Sequence, residues 1–369
     1  MSSCSVLHLR AETKPLEHRS ALTPTTAKFL QDAGYDVRIE RSKQRIFDDE
    51  EYEALGLPLV PEGSWVDAPT DHIIIGLKEL PDEDFPLKHT HITFLHVFKN
   101  QGGWERVLGR FPRGGGTLLD LEFLQDERGR RVAAFGYHAG FAGAALGLEV
   151  WAHQIVNPGR EFGGVEPHPN EKALITHVKS AIAQGTEKLG RQPRVLVIGA
   201  LGRCGKGAVD LCLKAGLDEQ NVLEWDMAET AKGGPFEEIV ESDIFINCIY
   251  LTHKIPNFVD TQSLASPKRN LSVVVDVSCD TTNPNNPIPI YNVNTTFDKP
   301  TVPVEVSGPP ALSVISIDHL PSLLPREASE AFSKDLIPTL LQLKDRHTAK
   351  VWTDAEKLFK DKVASIPSQ

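Results

Sequence analysis

The stretch RVLVIGALGRCGKGAVDLCLKAG, residues 194–216, reads as a short buried strand, a glycine-rich turn and a helix. Its glycines fall at 199, 202 and 205, and Leu201 stands where the usual GxGxxG pattern has its middle glycine. Such a turn holds a nucleotide phosphate at the start of its helix. The next apolar run closes on Asp226, 21 residues after Gly205, where a ribose-binding acid belongs. A plain tight turn would need no such acid, so the whole unit predicts dinucleotide binding. A carboxylate accepts hydrogen bonds from a ribose diol and repels a 2′-phosphate, which favours NAD over NADP. Arg203, in the same turn, offers a phosphate partner and works against that preference.

Outward from this unit the α/β pattern continues. VLVIGA, NVLEWD, DIFINCI and SVVVDVS are β-rich runs separated by helical or turn segments, as in a parallel doubly wound sheet. The Pro- and Asn-rich segment that follows, TTNPNNPIPIYNVNTTFDKPTVPVEVSGPP, predicts ordered loop with short edge strands. Towards the N-terminus, VLHLR (6–10) is a strand, and Thr23, Pro24 and Gly34 punctuate a helix as N-cap, first turn and stop. HIIIGLK (72–78), HITFLHVF (91–98) and TLLDLEFL (117–124) add further short strands, with WERVLGRF as a helix between them. FAGAALGLEVWAHQIV and NEKALITHVKSAIAQG read as helices bridging to the second unit, and the long helix after LPSLLPREAS is expected to return to the first. The fold class is thus α/β, with two Rossmann-like domains whose parallel sheets flank an active-site cleft. Residues 1–135 with 319–369 form the expected substrate domain, and 136–318 the NAD domain.

The whole chain sets limits on function. At 369 residues and 40 % hydrophobic composition it can bury more than one core, and its net charge of −11 argues against a general nucleic-acid binder. No apolar run is long enough for a membrane span, and no secretory leader is visible. Five cysteines at irregular spacing do not make a secreted disulfide framework. The expectation is a cytoplasmic protein acting on small molecules. KHTHITFLH offers His89, His91 and His96 as metal ligands, but in one strand His91 and His96 would point to opposite faces, and no metal is expected.

Lys78 and His96 close two successive apolar runs, so in a parallel sheet both emerge at the carboxyl edge, where ligands bind. A lysine and a neutral histidine there make a proton-transfer pair, although a solvated strand cap and a core histidine fit the spacing equally well. Arg19, Arg130 and Arg131 suit bidentate grip on carboxylates, or ordinary surface.

Taken together, HLRAETKPLEHRSALTP, IIIGLKE, GRRVAAFG, GALGRCG, GGPFEEI, DIFINCIYL and ISIDHLPSLLPREAS resemble the fungal saccharopine dehydrogenases of the NAD-dependent, lysine-forming type, from about residue 6 to 345. More broadly the chain is similar to the alanine dehydrogenase and transhydrogenase superfamily. The resemblance implies NAD-dependent oxidative deamination of saccharopine to lysine and 2-oxoglutarate, the last step of the α-aminoadipate pathway. It assigns Lys78 to the amine proton and His96 to the attacking water, with the reverse also open. It implies that Arg19, Lys99, Glu122, Arg131, Phe135 and Ser278, Cys279 and Asp280 meet substrate. On the NAD side it implies Arg130, Gly199, Gly202, Arg203, Gly205, Asp226, Thr230, Tyr250, Val277 and the crossover residues Ile317, Asp318, His319 and Leu320. Another amino-acid dehydrogenase of this superfamily, or a non-catalytic dinucleotide-binding regulator, remains an alternative at this point. Some relatives carry a peroxisomal Ser-Lys-Leu address, whereas this chain ends SIPSQ. Its oligomeric state is not set by the sequence, and a monomer is compatible with it.

Cys204 sits in the glycine-rich turn, and Cys248, 44 residues on, ends DIFINC, expected as the fourth strand of a 3-2-1-4-5-6 sheet. First and fourth strands are neighbours in that order, so the two thiols are expected to approach and to form a disulfide on oxidation. A small residue in a crowded turn and ordinary strand filling is the plainer alternative.

Overall fold

The computed structural model describes residues 5–99, 102–279, 281 and 283–367. The chain divides into two units, residues 1–134 with 325–369 and residues 135–324.

The first unit opens with β1 (Val6–Leu9), α1 (Pro24–Asp32), β2 (Asp36–Glu40), α2 (Asp49–Glu53), β3 (Leu59–Val60), β4 (Ile73–Ile75), β5 (Thr90–Thr93), α3 (Trp104–Gly114) and β6 (Thr117–Asp120). These strands make one sheet in the order β3-β2-β1-β4-β5-β6, parallel throughout. Helix α1 begins as its sequence dictates, with the Thr23 hydroxyl accepting the Thr26 amide and Pro24 in the first turn. Gly34, at φ +84°, ends it.

The strands are shorter than their apolar runs. β4 stops at Ile75, three residues before Lys78, and β5 stops at Thr93, three before His96. The expectation of one strand through HITFLHVF therefore fails. His91 is inside β5 and fully buried, while His96 takes a left-handed backbone with φ +57°, incompatible with continued pairing.

In the second unit, α4 (Gly136–Val156) and α5 (Glu171–Leu189) precede β7 (Val195–Ile198), α6 (Arg203–Lys214), β8 (Val222–Trp225), α7 (Met227–Thr230), α8 (Glu237–Glu241), β9 (Ile244–Asn247), β10 (Val273–Asp276), β11 (Val302–Val304) and β12 (Leu312–Ile315). The sheet order is β11-β12-β10-β9-β7-β8, parallel except for the antiparallel edge strand β11. DIFIN is thus the third strand of this unit in chain order, not the fourth. Among the described residues β8 ends the sheet, and β9 takes the place beside β7 directly. Helices α4 and α6 cross at glycines: a Cβ on Gly140 would lie 1.9 Å from the Cys204 carbonyl oxygen, and one on Gly207 equally close to that of Tyr137. Backbone thus packs on backbone, which fixes the start of α6 against α4.

The chain re-enters the first unit as α9 (Pro325–Leu340) and α10 (Lys350–Ala364). Phe332 of α9 packs on Phe94, and Phe359 of α10 on Phe111.

Candidate active site

Three neighbouring parallel strands deliver side chains to one edge of the first unit. Lys78 follows β4, His96 follows β5 and Glu122 follows β6, each within three residues of its strand's carboxyl end. That edge is where open parallel sheets bind ligands, because loops leave it free of packing helices.

His96 lies between two acids. Its Nε2 is 3.4 Å from Glu79 and its Nδ1 3.6 Å from Glu122, the latter an ion-pair rather than a hydrogen-bond distance. The ring stacks on Phe94, with centroids 6.4 Å apart. Glu122 also receives Lys99 Nζ at 2.7 Å and lies 3.9 Å from Arg131. Burial alone would raise the Glu122 carboxyl, but His96, Lys99 and Arg131 overcome it and hold it down to about 2. Glu122 is therefore a fixed negative charge that orients one imidazole and two cations. Arg131 also spreads its guanidinium 5.3 Å above the Phe94 ring.

The arginines divide by environment. Arg19 is buried, and its guanidinium grips Glu17 with two bonds of 2.8 and 2.6 Å. Arg130 is exposed and bonded to Asp126 across a tight turn. The residues that sequence reasoning missed are Glu79, next to Lys78 in IIIGLKE, and Asp120, whose carboxylate accepts the Glu122 amide. Glu79 was legible as the charged residue ending a strand-edge motif. Asp120 was not, because its carboxylate also meets the Leu95 amide from a segment 25 residues away.

The dinucleotide turn of the second unit has the required geometry. Gly199 has φ +87°, open to glycine alone without strain, and Gly202 caps α6. A Cβ on Gly205 would fall 2.1 Å from the Gly199 oxygen. Leu201 causes no crowding at the middle position, since its side chain projects outward and it is 70 % exposed. Asp226 caps α7, and its carboxylate accepts the amides of Met227 at 2.9 Å and Leu201 at 3.1 Å, which ties the acid to the turn. Thr230 donates its hydroxyl to the Asp226 carbonyl. The glycine cradle, the α6 N-terminus and the placed acid fit NAD, whose pyrophosphate would lie on α6 and whose ribose diol would meet Asp226.

Other expected residues belong to the second unit. Tyr250 is exposed, and Val277 packs against the Gly143 backbone. Ser278 donates to Asp276 at 2.7 Å, Asp276 also accepts from Asn247 and Tyr291, and Cys279 has φ +35°. Phe135 precedes α4 as its N-cap. Ile317 and Leu320 are buried, and Asp318 bonds His319 at 2.5 Å. Asp280 lies outside the described residues. Cys204 and Cys248 are free thiols, and Cys204 with burial pushes the Cys248 thiol up. Among the described residues no group of three His, Cys, Asp or Glu side chains could hold a metal, and no helix is long and apolar enough to cross a membrane.

Comparison with known proteins gives this arrangement a lineage. Residues 8–142 match the alanine dehydrogenase/PNT N-terminal domain and residues 227–365 the corresponding C-terminal domain. The chain is 68 % identical to the saccharopine dehydrogenase (NAD(+), L-lysine-forming) of Neurospora crassa, over 98 % of both chains. It is 64 % identical to the protein of the same name from Schizosaccharomyces pombe, over 98 % of this chain and 99 % of that one. Among solved structures, an L-alanine dehydrogenase shares the fold with a TM-score of 0.68 and 18 % identity, covering 97 % of this chain and 99 % of that one. The chain belongs to the family of NAD-dependent, L-lysine-forming saccharopine dehydrogenases, built on the alanine dehydrogenase/PNT pair of domains.

Proposed function

We infer that the chain catalyses the NAD-dependent oxidative deamination of L-saccharopine to L-lysine and 2-oxoglutarate, a reading supported by its relatives, which are named saccharopine dehydrogenase (NAD(+), L-lysine-forming). NAD, when bound, supplies the acceptor for the hydride that leaves the glutamyl carbon. The remaining work is proton transfer, and it falls to the first unit. The secondary amine must lose a proton as its C–N bond becomes an imine, and Lys78, in its neutral form, takes that proton. Water then adds to the imine carbon, and His96, oriented by Glu79 and Glu122, accepts the water proton. The same pair returns protons as the carbinolamine collapses and the amine of lysine leaves. Saccharopine carries three carboxylates, and Arg131 and Lys99 are the cations placed beside this chemistry. Arg19, held by Glu17, completes the basic set.

The observation that carries this reading is the delivery of Lys78, His96 and Glu122 by adjacent strand ends. NADH formation measured with saccharopine, alanine and glutamate tests it. Turnover with saccharopine alone, with lysine released in equal amount, is expected. Turnover with alanine and none with saccharopine would overturn it. Lys78→Met should lower kcat by roughly 10²- to 10⁴-fold and leave NAD affinity nearly intact. The same reading places the chain in the cytoplasm, which cell fractionation would check.

A further inference from the structure

Both polar groups of the Lys78 peptide are held by side chains rather than by the sheet. The parallel ladder ends at Ile75, and backbone bonding continues through the Gly76 amide to Ile92 and the Leu77 carbonyl to Phe94. Beyond that point Glu12 takes over. One of its carboxylate oxygens accepts the Leu77 amide at 2.6 Å and the other the Lys78 amide at 2.9 Å. On the carbonyl side, Thr93 donates its hydroxyl to Lys78 at 2.9 Å, and the Arg10 guanidinium donates to the same oxygen. Arg10 and Glu12 also face each other at 3.4 Å, with side chains 1 % and 7 % exposed.

The approach of Arg10 depends on a glycine. A Cβ on Gly76 would fall 2.3 Å from Arg10 Nε and 2.7 Å from Cζ, so the guanidinium lies against bare backbone. The motifs HLRAET and IIIGLK are thereby two halves of one device. Burial pushes the Glu12 carboxyl up, while Arg10 and the two amides it accepts pull it down.

We propose that Glu12, with Arg10 and Thr93, is a positioning residue for Lys78: the three side chains clamp its peptide from both sides and fix the direction in which its amine leaves the edge of the sheet. The inference rests on the reading of Lys78 as the group that handles the substrate amine proton. The physical reason is that a lysine side chain has four rotatable bonds, so its terminal nitrogen can be placed only if its backbone does not move. Misplacement of a reacting group by about 1 Å costs on the order of 10²-fold in rate.

The test is a double-mutant cycle on kcat with saccharopine, using Glu12→Gln, Lys78→Met and the double variant, with NAD affinity and thermal unfolding measured alongside. Glu12→Gln keeps the shape but turns a donor towards one of the two amides, and should lower kcat by about 10- to 100-fold with NAD affinity retained. In the Lys78→Met background the same change should alter kcat by less than about twofold, because its effect passes through the missing amine. A merely structural role would give the same loss in both backgrounds, and that result overturns the proposal. Thr93→Val, which removes one donor and preserves volume, serves if Glu12→Gln does not fold, and it should show the same dependence on Lys78. Full turnover in Lys78→Met would instead refute the role of Lys78 itself. Loss in Lys78→Met beside wild-type turnover in folded Glu12→Gln would refute the clamp alone.

Discussion

Asp120 accepts the amide of Glu122 at 2.9 Å, and these two acids, two positions apart, titrate in opposite directions. Burial, helped by the Glu122 charge, pushes the Asp120 carboxyl up to about 6, against the pull of the Glu122 and Leu95 amides and of His96. Glu122 is held down to about 2 by its neighbouring cations. One turn therefore presents a carboxyl that is half protonated near pH 6 beside one that is ionised at every working pH.

The first prediction follows by linkage. The folded state binds the Asp120 proton more tightly than the unfolded chain does, so this group's contribution is fully present below its unfolded value near 3.8. It is lost as pH rises through about 6. Relative to Asp120→Asn, wild type should lose up to about 3 kcal/mol between pH 4 and pH 7, as an upper bound. Glu122 has the opposite sign: its contribution is present above the usual carboxylate value and is lost as pH falls towards 2. Urea unfolding of both proteins at a series of pH values checks this. A difference that does not change with pH would remove Asp120 from the account.

His96 separates backbone from chemistry. At φ +57° it sits in the left-handed region, where asparagine is tolerated better than most residues. His96→Asn should therefore keep the melting temperature within a few degrees while lowering kcat by roughly 10²- to 10⁴-fold. Equal loss of NAD affinity and turnover would show that the ring supports cofactor binding instead.

How much of this was legible in the sequence depends on whether a residue's role is set by its own segment. The dinucleotide turn was legible because Gly199, Gly205 and Asp226 act through local backbone and a fixed strand-helix-strand spacing. Lys78 and His96 were legible as the polar ends of apolar runs. Where those runs stop pairing was not, because HITFLHVF is apolar on both sides of the left-handed turn and nothing local marks the exit. Arg19 read as a residue for substrate carboxylates, and in the structure its guanidinium holds Glu17, two positions before it in the chain. The Glu12 clamp joins the segment after β1 to the loop after β4 and the last residue of β5, and the sheet order brings those segments together.

Asp226 should decide between the two nicotinamide cofactors. Its carboxylate is tied to the turn through the Leu201 amide and stands where the ribose diol would be. Asp226→Ala should weaken NAD binding by about 10-fold and narrow the preference against NADP, because it removes both the diol acceptor and the charge that repels a 2′-phosphate. Fluorescence titration with both cofactors measures it. An unchanged NAD/NADP ratio would assign selectivity to another residue.

The cysteine in the tightest part of the turn leads to the last prediction. Cys204 is in the first turn of α6, and Cys248 follows β9, whose neighbour in the sheet is β7. The Cys248 amide donates to the Ile198 carbonyl at the end of β7, which brings its thiol beside the start of α6. The neighbouring Cys204 and burial push the Cys248 thiol well up, so Cys248 stays a thiol at neutral pH. Reducing conditions keep such a pair as thiols. An added two-electron oxidant such as diamide would take one electron and one proton from each and join them. A bond there fixes the first turn of α6, whose amides must meet the pyrophosphate, so NAD affinity should fall and return with dithiothreitol. Wild type, Cys204→Ser and Cys248→Ser are to be oxidised in parallel and titrated with NAD. Both variants should keep their affinity through the treatment, and a loss in either one equal to that of wild type would assign the effect to another thiol.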